Sequence, residues 1–229
     1  MFPLKDDIPN RSFPFITMSI IILNLVIFIY QLSLRGKVGG LIHSLGVIPY
    51  EITHHIDIYP TISIPIILTL FTAMFIHGGF LHFLGNMLYL WIFGDNVENS
   101  MGHLRFLAFY LICGLIAFYT QIYLHPDSKI PIIGASGAIS GVLGAYLLLF
   151  PYARISTVII LGIIIKIVKI PAMIFLGFWI FIQFLYSASS SAGLGVGIAW
   201  FSHIGGFIAG FMLVLLFKKS HVKFGFLKR

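Results

Sequence analysis

Charge is scarce in this sequence. Asp, Glu, Lys and Arg make up 9% of its 229 residues, against about 25% in an ordinary soluble domain. Hydrophobic residues make up 59%. A soluble fold has no way to hide that much apolar surface, so the composition excludes one and points to a polytopic membrane protein. Acids are scarcest: Asp6, Asp7, Glu51, Asp57, Asp95, Glu98 and Asp127 are all there are. None falls inside an apolar run and none follows Asp127, which excludes a catalytic carboxylate buried in a later helix. The single cysteine, Cys113, excludes an intramolecular disulfide, and its apolar setting reads as packing. No repeat of fixed period and no soluble stretch divides the chain, so residues 1–229 are expected to form one membrane unit.

Six apolar spans are expected, at about 13–34, 81–95, 104–124, 136–150, 171–187 and 198–217. The first is long enough for a hydrocarbon core of about 30 Å. No small-residue cleavage site follows it, so it reads as a retained helix. Gly36 to Tyr59 is too broken to span, and no helical pattern in it is regular enough to assign. Ile66 to Ile76 leads into the second span, which Asp95, Glu98 and Asn99 are expected to close. Val158 to Ile165 is too short to cross and is followed at once by Lys166 and Lys169, so Arg154 to Ile170 is expected to lie along the membrane surface. Ser187 to Gly197 is Ser- and Gly-rich and reads as a mobile loop. A basic tail covers 218–229.

Six spans put both termini on one side. If that side is cytoplasmic, the inner segments hold Lys5, Arg11, Arg105, Arg154, Lys166, Lys169 and the five basic residues of the tail. The outer ones hold Arg35, Lys37 and Lys129. The positive-inside rule therefore places both termini in the cytoplasm. The net charge of +7 is accounted for by this topology, and no nucleic-acid partner is implied.

Polar groups inside spans are costly and tend to be functional or paired. Here they are Asn24, His82, Asn86, Ser136, Ser140, Gln183 and His203, with His77 at a span mouth. His82 and Asn86 are four apart and share a helix face. Such a pair suits either a developing negative charge in a dry site or interhelical hydrogen bonds that stabilise packing. Gly137 and Gly141 form a small-residue face on the fourth span, and Gly206 and Gly210 form another on the sixth. Faces of this kind let helix backbones approach closely.

Depth brings these groups together. Ser136 stands about 21 Å of helix above Phe150, so it stops about 9 Å short of the outer edge of the core. His203 lies about 8 Å into the sixth span, and His82 about 20 Å above Asp95. A serine hydroxyl needs a base near neutral pH, and His203 is the candidate. With no carboxylate to complete a triad, the arrangement would be a Ser136–His203 dyad. Free amides at the start of the fourth helix would join His82 and Asn86 around an oxyanion. Hydrolysis by acyl transfer is the reaction class implied.

In these features the chain resembles the rhomboid family of intramembrane serine proteases, from Pro3-Leu4-Lys5-Asp6-Asp7 to the sixth span. Gly134-Ala135-Ser136-Gly137 is similar to the family's Gly-x-Ser-Gly. Ala199-Trp200-Phe201-Ser202-His203-Ile204-Gly205-Gly206 resembles its last-helix pattern. His77-Gly78-Gly79-Phe80-Leu81-His82-Phe83-Leu84-Gly85-Asn86 resembles the second-helix pattern His-x4-His-x3-Asn. The resemblance implies an all-α membrane protein, a six-transmembrane-helix rhomboid-like bundle. It also implies Ser136 as nucleophile, His203 as general base and His82 and Asn86 as oxyanion residues, with His77, Gly134, Gly137 and Gly206 supporting. Glu98 matches a structural acid that caps or pairs.

By the same resemblance the protein would be an intramembrane serine endopeptidase of a bacterial inner membrane. It would use no cofactor or metal and would cleave single-span membrane proteins within or near the lipid bilayer. Substrates of the family enter beside the fifth helix, which here carries Phe175, Phe178, Trp179, Phe181 and Phe184; lipid-facing aromatics are the other reading of these. Two departures stand out: Ser140 occupies the position where some members stack an aromatic on the base, and the first loop has no Trp-Arg pair. Three alternatives accompany this expectation. A non-catalytic rhomboid-like protein that binds membrane proteins is one. A transporter is another, although the broken helices and repeats of many transporters are missing. A zinc protease is the third, although His-Glu-x-x-His is absent.

Overall fold

Fourteen residues of helix cannot cross a membrane, and the fold is built around such a piece. The computed structural model describes residues 2–9, 12–59, 64–161, 164–191 and 199–225. In chain order these form β1 (Phe2–Lys5), α1 (Phe15–Ser33), α2 (Val38–Leu45), α3 (Pro49–His54), α4 (Thr69–Thr72), α5 (Phe80–Met101), α6 (His103–Leu124), α7 (Ser136–Leu149), β2 (Arg154–Leu161), β3 (Ile164–Pro171), α8 (Ala172–Ser191) and α9 (Trp200–Phe217). Helix α7 is about 21 Å long, short of the about 30 Å of a hydrocarbon core. Eleven of its fourteen residues are buried, enclosed chiefly by α5, α6 and α9.

Helices α1, α6, α8 and α9 are long and apolar enough to cross a membrane by themselves. Residues Ile66–Phe75 and helix α5 qualify together, although they are bent by 80°. The outward faces of these helices carry exposed Ile22, Val26, Ile29, Phe178, Phe181, Met212 and Leu216. A ring of bare apolar side chains would be an aggregation hazard in water and is what lipid requires. The chain is an integral membrane protein built as a helical bundle.

Glycine sets the closest contact in the bundle. A Cβ on Gly206 would lie 2.1 Å from the Gly137 carbonyl oxygen, and one on Gly144 would lie 2.1 Å from that of Phe207. The small-residue faces of α7 and α9 meet, and their backbones touch. Tyr110, Tyr146, Phe93, Phe106 and Phe109 fill the space around them, each fully buried.

Glu98 takes the place of a local cap on α1. The four leading amides of a helix have no partner within it, and here the Glu98 carboxylate accepts Ile16 N–H at 2.9 Å and Thr17 N–H at 2.8 Å. The Thr17 hydroxyl donates to it as well, at 2.7 Å, and His103 Nδ1 lies 2.6 Å away. These partners hold the acid inside α5, which runs on to Met101 instead of closing at Asp95. A second tie joins α1 to the bend before α5: Gln31 Nε2 donates to His77 O at 2.8 Å and Gln31 Oε1 accepts His77 N–H at 3.0 Å.

Two segments take local structure that the sequence pattern left unassigned. Residues 36–59 contain α2 and α3, with Pro49 opening α3 and His55 ending it at φ 56°. Arg154 to Ile170 falls within an antiparallel hairpin, β2 with β3, from Arg154↔Pro171 to Leu161↔Ile164. Strand β1 adds to its edge through Phe2↔Val158 and Pro3↔Thr157. A run of Ile and Val suits a half-buried pleated surface, and Ile155 and Thr157 are fully buried beneath it. The bundle is thus helical with a small sheet attached. Helix α8 continues to Ser191, so the first part of the expected 187–197 loop is helix. The rest of that loop, the start of the expected sixth span, and Lys228 and Arg229 lie outside the described residues.

Candidate active site

Gly134 begins the site. Its φ of 116° lies in a region that L side chains rarely adopt. Its N–H donates to Ala73 O at 2.8 Å, tying the loop before α7 to the bend before α5. A Cβ here would lie 2.7 Å from His82 Cε1 and Nε2, so glycine is also what admits the imidazole. Two residues later Ser136 opens α7 at its N-terminus, where backbone amides are free of intrahelical partners.

The Ser136 hydroxyl meets His203, from the first turn of α9, with Oγ 2.8 Å from Nε2. On the far side of the ring, His203 Nδ1 lies 2.8 Å from Gln183 Oε1, on α8. Trp179 and Trp200 flank the ring, with centroids 6.1 and 6.0 Å away. Ser140 takes no part in holding it: its hydroxyl donates to Ser136 O at 2.6 Å. The first turn of α9 is tied to α6, where Gln121 Oε1 accepts Ser202 N–H at 3.3 Å.

His82 and Asn86 approach from the first turns of α5. The Gly78 amide donates to His82 Nδ1 at 3.3 Å, so the neutral ring carries its proton on Nε2, the atom beside Gly134. Asn86 is 7% exposed, and its Nδ2 is buried with no hydrogen-bond partner among the described residues. A buried donor without an acceptor is costly and suits an acceptor that arrives with a ligand. His77 does not reach Ser136. It stands behind His82, with ring centroids 5.2 Å apart, and both of its ring nitrogens are buried without a partner among the described residues. Gly137 and Gly206 lie below the site, in the α7–α9 contact.

A cavity of about 1070 Å³ opens over Ser136, His203, His82, Asn86, Gln183 and Trp179. Its described lining contains no Asp, Glu, Lys or Arg. Charge that develops there would be met by neutral donors held in place. Sequence reasoning singled out Gln183 only as a polar residue in a span and assigned it no role. The available signal was its type: a lone amide among the aromatics of a membrane helix.

A bundle with a hydroxyl–imidazole pair below its surface, beside unpaired donors, belongs to the class of polytopic membrane proteins with a buried serine–histidine site. More narrowly, the chain belongs to the rhomboid family, whose rhomboid domain matches residues 66–220. It is 30% identical over 159 residues to RHOMBOID-like protein 5 of Arabidopsis thaliana, covering 66% of this chain and 45% of that one. Two Bacillus subtilis proteins each match over 78 residues, or 34% of this chain. They are Rhomboid protease GluP at 41% identity, over 15% of its length, and Putative rhomboid protease YdcA at 36%, over 39% of its length. The chain spans less than half the length of the curated relatives it matches.

Proposed function

We propose that this protein is an intramembrane serine endopeptidase acting on single-span membrane proteins, with both termini on the cytoplasmic side of a bacterial inner membrane. The observation that carries the reading is the 2.8 Å contact of Ser136 Oγ with His203 Nε2, which is within proton-transfer reach. Ser136 Oγ attacks the scissile carbonyl carbon while its proton passes to His203 Nε2. The carbonyl π electrons move onto oxygen. That oxyanion is met by Asn86 Nδ2, by the His82 Nε2 proton and by free amides at the start of α7. Collapse of the tetrahedral intermediate breaks the C–N bond, and the proton on His203 Nε2 goes to the departing amine. Water then attacks the acyl-serine, gives its proton to His203, and Ser136 leaves with that proton restored.

The rhomboid protease names of the two Bacillus relatives support this reading. So does the uncharged cavity, which accepts an apolar segment without burying an ion. The test is cleavage of a single-span substrate in liposomes by the wild type and by Ser136→Ala. Cleavage is expected from the wild type alone. Equal cleavage by both would remove Ser136 from the mechanism. A wild type that binds the substrate but leaves it intact would point to the non-catalytic, membrane-protein-binding alternative.

A further inference from the structure

A neutral imidazole carries one proton, and His203 can accept from Ser136 only while that proton sits on Nδ1. The group facing Nδ1 therefore decides whether the ring is a base toward Ser136 or a donor to it. That group is Gln183 Oε1, at 2.8 Å. Gln183 is 5% exposed, and its amide is held one way round. Its Nε2 donates to Trp179 O, one turn back on α8, at 3.3 Å. With the NH2 end occupied there, the oxygen faces the ring. A reversed amide would point N–H at Nδ1, and the ring proton would then have to sit on Nε2, toward Ser136.

The other neighbours of the ring cannot make this choice. The described cavity lining contains no carboxylate. Ser140 is committed to the Ser136 carbonyl. Trp179 and Trp200 restrict the tilt of the ring but offer no acceptor at Nδ1, since an indole N–H is a donor only. We propose that Gln183 is a positioning residue, whose carbonyl oxygen takes the Nδ1 proton of His203 and so leaves the Nε2 lone pair aimed at Ser136. It does the orienting work of a triad carboxylate without bringing a negative charge into the membrane, where a charge is expensive. The inference rests on the proteolytic reading of Ser136 and His203.

The full chain in liposomes, labelled by a fluorophosphonate that phosphonylates activated serines, provides the test. Gln183→Met keeps the length of the side chain and removes the acceptor. Gln183→Glu keeps an oxygen acceptor at the same reach. For Gln183→Met the maximum labelling rate should fall about 10- to 100-fold, part of the about 10²–10⁴ that a general base supplies, with the half-saturating probe concentration unchanged. Gln183→Glu should recover most of the rate. Wild-type labelling of Gln183→Met would overturn the proposal. Equal losses in both variants, with lowered thermal midpoints, would also overturn it, by assigning Gln183 to packing. Wild-type labelling that is lost in Ser136→Ala establishes the reactive serine separately, so either result would count against Gln183 alone. No labelling of the wild type would remove both readings.

Discussion

Gly210 of α9 faces Gly141 of α7 so closely that a Cβ on Gly210 would lie 1.9 Å from the Gly141 carbonyl oxygen. Backbone cannot yield as a flexible side chain can, so Gly210→Ala must push the two helices apart. Overpacking costs about 1–3 kcal/mol, and more where nothing can move aside; about 3 kcal/mol is expected here. His203 sits two turns away on the same helix, so the separation is expected to lengthen its contact with Ser136. The thermal midpoint and the kcat of proteolysis should fall together. A variant with wild-type values of both would show that the α7–α9 contact does not position His203.

Removal of Glu98 tests a different joint. Glu98→Ala strips the acceptor from Ile16 N–H, Thr17 N–H and the Thr17 hydroxyl. A lost helix cap costs about 0.5–2 kcal/mol, and a buried donor left unpaired costs about 1–3 kcal/mol. A loss near the top of that range is expected in detergent unfolding, with activity per folded molecule retained. Glu98→Gln should recover part of it, since one acceptor oxygen remains. An unchanged unfolding curve for Glu98→Ala would assign the α1 terminus some other support.

For Asn86 the expectation is catalytic and not structural. Its Nδ2 has no partner among the described residues, so Asn86→Ala breaks no described hydrogen bond of that atom in the resting protein. Loss of one oxyanion donor lowers kcat by about 10²–10³-fold. KM should change little, because the interaction is made only in the transition state. Steady-state cleavage in liposomes separates the two constants. A rise in KM at constant kcat would place Asn86 in substrate binding instead.

Asp6 makes stability depend on pH. Burial is the main cause that raises its pKa above the ordinary 3.8, and the negative charge of Asp7 adds to it; hydrogen bonds from Tyr146, Ile8 and Asn96 oppose the rise. The folded chain therefore holds this proton more tightly than the unfolded chain does. The stabilisation is complete below 3.8 and is lost as pH rises through the raised value. Thermal midpoints taken from pH 3.8 upward should decline across that window. Asp6→Asn, which cannot ionise, should flatten the decline. The same slope in both proteins would move its origin elsewhere, with Glu51, also raised chiefly by burial, the next group to test.

Some of this was legible along the chain and some was not. The helix at 136–150 could be read from its apolar run and from Pro151 after it. Its length followed from those bounds, because a helix advances by a fixed rise per residue. The hairpin 154–171 was not legible. Its Ile and Val run is equally apolar as strand, helix or membrane-surface segment, and β1, which pairs along it, lies about 150 residues earlier in the chain. Helix α3 was hidden for a related reason: six residues are too few for a period to declare itself.

The sequence by itself determined the solvent of this protein, the apolar stretches that form its helices and the residue types available for chemistry inside them. Those properties are local, since each follows from composition, run length or spacing within one segment. Only the tertiary structure decided which atom faces which. That Gln183 Oε1 meets His203 Nδ1, and that Glu98 caps a helix some eighty residues away, depends on the rotation and separation of whole helices. Those are set by close packing between surfaces, here by glycines that let α7 and α9 touch, and no single stretch of chain contains both sides of a contact.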